Sequence, residues 1–396
     1  MLKGKSIILG VSGGIAAYKS AYLCSMLVKQ GCDVNVIMTE NALNFIAPAT
    51  FEALTGNRTL TDTFDRNHEF STEHVSLADK TDLIIVAPAT ANVLAKFSHG
   101  IADDMLTTTV LACDCPKIAA PAMNTRMYDN PVTVDNIDRL WKYGWEIIEP
   151  DSGRLACGSS GKGRMPEPER LLEAVIHAVS APKDMAGLKV LVSAGPTREE
   201  LDPVRFITNH SSGKMGYAVA KAAAARGADV TLVTGPVNLP VPAYMDVVPV
   251  VSANDMYNAI ADREENSDII IMAAAVADYT PVYYSEHKIK KQDGEFNLEL
   301  ERTDDILRAL GENKRPGQTL VGFAMETENV VENGEKKLIS KNADLIAANS
   351  AVEEGSGFQG DTNRLTLITA KGNTELPLLS KDKCAHKLLD AVLELR

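Results

Sequence analysis

The chain carries short apolar runs, rich in β-branched residues, that each lead through a turn of small residues into a helical stretch. The first run, 5–11 (KSIILGV), precedes a glycine turn, a helical pattern over 15–30 and a second run at 33–38. Further runs at 83–90 and 117–123 are also continuously apolar rather than alternating. Continuous runs are typical of parallel strands covered by helices on both faces. The first half therefore predicts a doubly wound α/β domain, in which ligands bind beyond the carboxyl ends of the strands.

The same pattern starts again after a break at Pro182 and Gly187. It predicts a helix over 217–226 behind a long glycine-bearing loop, and strands at 189–193, 229–233, 268–274, 319–324, 344–347 and 365–369. A chain of 396 residues also exceeds what one hydrophobic core usually organises. We therefore predict two Rossmann-like domains, 1–182 and 187–396, with a linker around 180–187.

Charge and composition narrow the possible partners. A formal net charge of −13 repels nucleic acid and anionic lipid, so a phosphate-bearing partner should be a small molecule in a locally basic site. No run approaches the ~20 apolar residues of a membrane helix, and the apolar stretch that begins at Ile7 is too short for a signal peptide. Six cysteines without a CxxC pair are typical of a reduced compartment. We expect a cytoplasmic enzyme that binds neither nucleic acid nor membrane.

The turn after the first strand, in SGGIAAYK, is a candidate phosphate site. Ser12, Gly13 and Gly14 stand where the strand becomes a helix, so backbone N–H groups and the helix dipole could hold an anion. A plain tight turn explains these residues equally well. Tyr18 stands where a P-loop needs its second glycine, and the GxGxxG pattern of dinucleotide sites is absent, so neither of those sites is favoured.

Polar residues follow the later strands of the first half. Thr90 and Asn92 in APATAN and Asn124 in PAMNTRMY come directly after strands, where side chains meet ligands. His74 lies ahead of the third strand, and Cys157 lies in GRLACGSSGKGRM, whose glycines are typical of a mobile flap. Taken singly, each residue is as easily a helix cap, a turn residue or a surface group.

The order of these motifs resembles the flavin-binding cysteine decarboxylases over residues 5–166. That resemblance implies a flavodoxin-like domain that binds FMN, with contacts at Ser12, Gly13, Gly14, Thr39, Thr90 and Asn92. It also implies that His74 handles a proton, that Asn124 binds the substrate carboxylate, and that Cys157 is the acid that reprotonates the product. Tyr128 departs from the family, since many members carry Trp there.

The second half has its own motifs. More than twenty residues, ending in HSSGKMG, join the strand at 189–193 to the following helix, which is far longer than an ordinary βα connection. MAAAVADY (272–279) ends a strand in small residues, and KIKK (288–291) places three cations in four residues. Lys337 and Lys341 are spaced i, i+4 on a predicted helix, and such cations are either a solvated surface or a site for a triphosphate with Mg²⁺.

These motifs resemble the phosphopantothenate-cysteine ligases over residues 189–349. The resemblance implies a nucleotide-binding ligase domain that uses CTP and Mg²⁺, with Asn209 acting on an acyl-cytidylate intermediate and Lys288 helping to form it. The implied CTP contacts are Met272, Ala273, Ala274, Asp278, Lys288, Asp304, Asp305, Ile306, Leu307, Phe323, Lys337 and Lys341.

The two implied activities belong to one pathway, because the ligase product, phosphopantothenoylcysteine, is the decarboxylase substrate. The resemblance also implies a homo-oligomer, with trimers of the first domain, pairs of the second and a dodecamer overall. Two alternatives remain open from the residues. One is a pyridine-nucleotide oxidoreductase, which the missing GxGxxG opposes. The other is a flavin-binding regulatory protein, in which His74, Asn124 and Cys157 have no catalytic role.

Overall fold

The chain divides into two units, residues 1–181 and 182–396, in a computed structural model. The structure describes residues 2–63, 73–154, 160–290, 297–350 and 360–396. Each unit contains a largely parallel sheet with helices on both faces, so the predicted α/β class with two doubly wound, Rossmann-like domains is confirmed. Within these ranges, no helix is long and apolar enough to cross a membrane.

The first unit contains a five-stranded parallel sheet. Its strands are β1 (Ser6–Val11), β2 (Asp33–Met38), β3 (Leu83–Ala89), β4 (Lys117–Pro121) and β5 (Glu146–Ile147). The spatial order is β2-β1-β3-β4-β5, which is the flavodoxin-like order. Every residue of β3 is buried, and the order reverses between β1 and β3. That reversal opens a crevice beyond the carboxyl ends of these strands.

Helices cover this sheet, and one hairpin stands apart from it. The α-helices are α1 (Ala17–Lys29), α2 (Pro48–Thr55), α3 (Glu73–Lys80), α4 (Ala91–His99), α5 (Met105–Ala112), α6 (Thr125–Tyr128), α7 (Pro131–Lys142) and α8 (Pro168–Val179), with a 3-10 turn at Glu40–Asn44. The antiparallel hairpin consists of β6 (Asp151–Arg154) and β7 (Ser160–Arg164).

The second unit contains an eight-stranded mixed sheet. Its strands are β8 (Lys189–Ala194), β11 (Asp229–Thr234), β12 (Asp246–Pro249), β13 (Ile269–Met272), β16 (Thr319–Glu326), β17 (Leu345–Ser350), β19 (Thr366–Thr369) and β20 (Gly372–Glu375). The order is β12-β11-β8-β13-β16-β17-β19-β20, and only the edge strands β19 and β20 pair antiparallel. Three two-stranded pairs lie outside it: β9 (Arg198–Glu200) with β10 (Phe206–Thr208), β14 (Tyr279–Pro281) with β15 (Leu300–Arg302), and β18 (Thr362–Asn363) with β21 (Leu379–Ser380).

The helices of the second unit are α9 (Lys214–Ala225), α10 (Ala253–Glu264), α11 (Ile306–Asn313), α12 (Val330–Ser340) and α13 (Lys381–Glu394). The predicted start of α9 at 217 is wrong, because the helix begins at Lys214 directly after Gly213, whose φ of 75° ends the preceding loop. Gly216 lies against β8: a Cβ there would come within 2.6 Å of the Ala194 Cβ. The helix therefore packs close to the strand and brings Lys214 to the sheet edge.

A buried arginine ties α13 to α9. The Arg226 guanidinium, at the C-terminal end of α9, donates to Asp390 on α13 at 2.8 Å and to Asp184 at 2.8 and 2.6 Å. The hydrogen bond from Arg226 lowers the pKa of the Asp184 carboxyl. Its charge is buried whereas both partners are partly exposed, so a variant that lacks the guanidinium loses paired hydrogen bonds rather than stranding a buried carboxylate.

We expect Arg226→Met to destabilise the second unit by about 2 kcal/mol, because it removes charge-assisted hydrogen bonds that join three segments. Hydrogen exchange on the full chain should show faster exchange in α9 and α13. Lys387→Met is the control: Lys387 pairs with the same Asp390 at 3.5 Å but is exposed, and such pairs are worth at most about 1 kcal/mol. Equal effects of the two variants would contradict the role given to Arg226.

Candidate active sites

A cavity of about 860 Å³ lies at the carboxyl edge of the first sheet. We call it the flavin cavity, and it is lined by Gly13, Gly14, Ile15, Ala16, Tyr18, Lys19, Thr39, Glu40, Asn41, Thr90, Ala91, Asn92, Val93, Lys96, Asp103, Asp104, Ala122, Met123, Asn124, Met127, Gly163, Arg164 and Met165. Six residues predicted from the sequence motifs line it together: Gly13, Gly14, Thr39, Thr90, Asn92 and Asn124. The crevice predicted from the strand order is therefore present.

Ser12 lies behind this wall rather than in it. Its hydroxyl donates to the Pro88 carbonyl at 2.7 Å and accepts from the Thr90 N–H at 3.0 Å, and its side chain is fully buried. Thr90 in turn caps α4. Ser12 therefore positions Thr90, and its side chain does not reach the cavity in which the resemblance implied a phosphate contact.

The two glycines of the turn face different surroundings. A Cβ on Gly13 would lie 2.5 Å from the Asn41 Cβ and 2.8 Å from the Asn41 carbonyl carbon. A Cβ on Gly14 would meet nothing closer than 3.8 Å. Gly13 therefore allows the 3-10 turn after β2 to pack against the start of α1, and Gly14 leaves open space at the cavity wall.

Asn124 stands where β4 leads into α6. Its side-chain oxygen accepts from the Arg126 N–H at 2.9 Å, which fixes the amide at the start of that helix. The hairpin packs directly on this segment: the Met123 N–H donates to the Gly163 carbonyl at 3.0 Å. A Cβ on Gly163 would come within 2.3 Å of the Met123 carbonyl oxygen, so the contact requires glycine. The hairpin thus closes one side of the cavity beside Asn124.

Two predicted residues are not brought into this wall. His74 lies on α3, half-buried, and does not line the flavin cavity. Cys157 lies outside the described residues.

Lys19 is a lining residue that the motifs did not identify. Its ammonium is buried, donates to the Met165 carbonyl at 2.9 Å and pairs with Glu167 at 3.0 Å. These partners lie almost 150 positions further along the chain, so no local pattern could reveal the contact. Lys19 joins α1 to the segment that follows the hairpin.

A smaller cavity of about 220 Å³ lies at the carboxyl edge of the second sheet. We call it the ligase cavity, and it is lined by Asn209, Ser211, Ser212, Gly213, Lys214, Met215, Gly216, Ala273, Ala274, Ala275, Phe323, Ala324, Met325, Asn349, Asn363 and Lys381. Asn209, Ala273, Ala274 and Phe323 were predicted and meet here. Lys214, Asn349, Asn363 and Lys381 were not predicted as site residues.

Hydrogen bonds fix the predicted residues in this cavity. The Asn209 amide nitrogen donates to the carbonyls of Ala275 and Val276 at 3.3 and 3.0 Å. The Ala274 N–H donates to the buried Ser193 hydroxyl at 3.1 Å. The loop that carries Asn209 is therefore tied to the segment after β13, in line with the long connection that the sequence marked as functional.

The remaining predicted nucleotide contacts lie around α11 and α12. The Lys337 ammonium donates to the Phe323 carbonyl at 2.9 Å, and burial lowers the pKa of Lys337. Lys341 pairs with Asp305, the N-cap of α11. The side chains of Ile306, Leu307 and Met272 are buried in the core, so any ligand contact of these three would use backbone atoms.

Asp278, Asp304 and Lys288 are exposed. The Asp278 carbonyl accepts from the Thr303 N–H at 3.1 Å, so Asp278 lies beside the loop that carries Asp304. Lys288 lies on a separate loop: its neighbour Ile289 donates to Asp202 at 3.1 Å and accepts from Arg205 at 2.7 Å. Lys288 is therefore held against the turn between β9 and β10, and it does not line the ligase cavity.

Both units match known families. Residues 1–180 match the family described as Flavoprotein, and residues 185–395 match the DNA/pantothenate metabolism flavoprotein C-terminal domain. The class is thus a flavoprotein with an additional pantothenate-metabolism domain.

Full-length relatives narrow this class. The coenzyme A biosynthesis bifunctional protein CoaBC of Bacillus subtilis (strain 168) is 49% identical over 401 residues, which cover 100% of this chain and 98% of the relative. The proteins of the same name from Vibrio cholerae and Escherichia coli (strain K12) are 44% and 42% identical, over 99% of this chain and 99% and 97% of the relatives. The chain belongs to the family of bifunctional coenzyme A biosynthesis enzymes, as its motifs predicted.

We expect Gly13→Ala to destabilise the first unit by about 1–3 kcal/mol, because the added methyl group must displace backbone of the 3-10 turn. Gly14→Ala is the control, since its methyl group has space and should change stability by less than about 1 kcal/mol. Urea unfolding followed by tryptophan fluorescence measures this unit, because Trp141 and Trp145 both belong to it. Equal stability of the two variants would show that Gly13 is not required by packing.

Proposed function

We propose that the first domain (1–182) is an FMN-dependent phosphopantothenoylcysteine decarboxylase, and that the second domain (187–396) is a CTP-dependent phosphopantothenate-cysteine ligase. The observation that carries this proposal is the assembly of the predicted residues at the carboxyl edges of both sheets. Gly13, Gly14, Thr90 and Asn124 line one cavity, and Asn209 lines the other. A cytoplasmic location remains part of the proposal.

The flavin cavity has the size and lining that FMN requires. Its volume of about 860 Å³ lies within the usual ~300–1,000 Å³ of small-molecule sites. Tyr18, Met123 and Met127 offer apolar surface for a flat ring, whereas Thr39 and Asn41 offer polar groups for a ribityl phosphate. Gly14 leaves a bare stretch of wall against which a ligand could lie. The residues present therefore fit the cofactor.

Decarboxylation needs a place for the electrons left on carbon, and bound FMN would supply it by accepting electrons from the thiol end of the substrate. The protein would bind the carboxylate through the Asn124 amide, whose orientation is fixed by the Arg126 N–H. The hairpin would exclude water from that position. A thiol such as Cys157, with an ordinary pKa near ~8.5, stays mostly protonated at neutral pH and can donate a proton to the product.

In the ligase reaction, a carboxylate becomes reactive towards an amine only when its oxygen becomes a good leaving group. Transfer of CMP from CTP to the carboxylate, with release of pyrophosphate, achieves this, and the amine of cysteine then displaces CMP. Asn209, fixed at the cavity wall by two backbone carbonyls, would bind the acyl-cytidylate. Lys288, Lys337 and Lys341 would bind or polarise the triphosphate, and Mg²⁺ would bind to its oxygens.

The oligomer implied by the family resemblance is part of the proposal. A flavin site shared between protomers is compatible with the position of His74, which lies outside the cavity wall of its own chain. We propose trimers of the first domain and pairs of the second.

The test is to incubate the full chain with phosphopantothenate, cysteine, MgCl₂ and either CTP or ATP, with products followed by mass spectrometry and flavin by absorbance. We expect bound FMN and CTP-dependent formation of phosphopantetheine. A yellow protein without turnover would instead support a flavin-binding regulatory protein. No product with either nucleotide would refute the ligase assignment.

Two variants should separate the half-reactions. Asn124→Ala should lower decarboxylase kcat/KM by about 10- to 100-fold, because a hydrogen bond to the substrate carboxylate is lost, and phosphopantothenoylcysteine should accumulate. Asn209→Ala should lower ligase turnover but still decarboxylate added phosphopantothenoylcysteine. Each variant is therefore the control for the other, and impairment of both activities by either one would contradict the assignment of one reaction to each cavity.

A further inference from the structure

The ligase cavity has a polar wall that the motifs did not predict. Lys381, Asn349 and Asn363 line it, and their exposed fractions are only 6%, 7% and 4%. Lys214 lines the same cavity from the first residue of α9. Burying polar side chains is costly unless they have partners, so their position at a cavity wall points to a polar ligand.

The two lysines are close enough to disfavour each other's charge. Burial lowers the pKa of Lys381, and the positive charge of Lys214 lowers it further, although Asp361 acts in the opposite direction. The Lys381 ammonium donates to the Gly360 carbonyl at 2.5 Å. Like charges that face one cavity are stabilised together when an anion binds between them.

The carboxylate nearest to the pair is easily displaced. Asp361 pairs with Lys214 at 2.7 Å, but its side chain is 88% exposed. Exposed ion pairs contribute little to stability, so a phosphate could take the place of Asp361 at small cost. A phosphate also offers several acceptor oxygens, which suit two ammonium groups and the amide donors of Asn349 and Asn363.

We propose that Lys214 and Lys381 bind a phosphate group of a ligase substrate. The inference rests on the ligase function proposed above and adds two binding residues to it. Phosphate has two sources in that reaction: the triphosphate of CTP and the phosphate of phosphopantothenate. Ala273, Ala274 and Phe323, which were predicted as nucleotide contacts, line the same small cavity, and this favours the triphosphate.

The test compares Lys381→Gln and Lys214→Gln with Lys383→Gln in the full chain. Lys383 is an exposed lysine on the same helix and is the matched control. Three quantities are measured: the Kd of CTP by calorimetry without the other substrates, competition by inorganic tripolyphosphate, and the KM of each ligase substrate. Decarboxylation of added phosphopantothenoylcysteine verifies that each variant is folded.

We expect the Kd of CTP to rise about 10- to 100-fold in Lys381→Gln and Lys214→Gln, as for loss of a hydrogen bond to a charged group. Competition by tripolyphosphate should weaken in parallel, Lys381→Arg should restore part of the affinity, and Lys383→Gln should behave as the wild type. A rise only in the KM of phosphopantothenate would assign the pair to that substrate's phosphate.

The inference is overturned if the wild type binds CTP and turns over while both variants keep unchanged Kd and KM values. That result differs from failure of the ligase proposal, in which the wild type itself neither binds CTP nor forms product. Two variants at separate helices guard against one of them failing to fold.

Discussion

Burial of the central strands on both faces is the constraint on which both units depend. β3 and β13 are buried along their whole length, so neither strand can present a polar side chain within the sheet. Helices cover both faces, and polar chemistry is confined to the edges at which strands end. Thr90 and Asn124 in the first unit, and Ala273 in the second, follow directly on such ends. The fold thus determines where the cavities form before any catalytic residue is considered.

Close backbone contacts then shape those edges. Gly13 admits the turn after β2, Gly163 admits the segment that carries Asn124, and Gly216 admits α9 to β8. At Gly235 a Cβ would lie 1.8 Å from the Pro196 carbonyl oxygen, so the loop before β9 also requires a glycine neighbour. Side chains at these positions would separate the loops and open the sites to water. The glycines that appeared in the sequence as candidate ligand contacts thus also have a packing role, which the sequence alone could not separate from binding.

The sequence predicted the elements whose signal is local. The runs at 33–38 and 83–90 correspond to β2 and β3 within a residue, because a continuous apolar run needs no distant partner to be recognised. The two-residue β5 and the edge strand β12 were not predicted, since short edge strands carry little apolar pattern. Likewise, the motifs identified Asn124 and Asn209 but not Lys19 or Lys381. These lysines become site residues only through contacts between segments far apart in the chain.

The distribution of charge gives these lysines a common meaning. The chain as a whole is acidic, with a net charge of −13, and its surface should repel free phosphate esters. Lys19, Lys337 and Lys381 are nevertheless wholly or partly withdrawn from water at the edges of the two sheets, and burial lowers the pKa of Lys337 and Lys381. A withdrawn ammonium group destabilises the empty protein and interacts strongly with an anion that excludes the remaining water. An acidic enzyme can therefore select phosphate-bearing substrates through a few cations placed where the surrounding negative charge is least able to screen them.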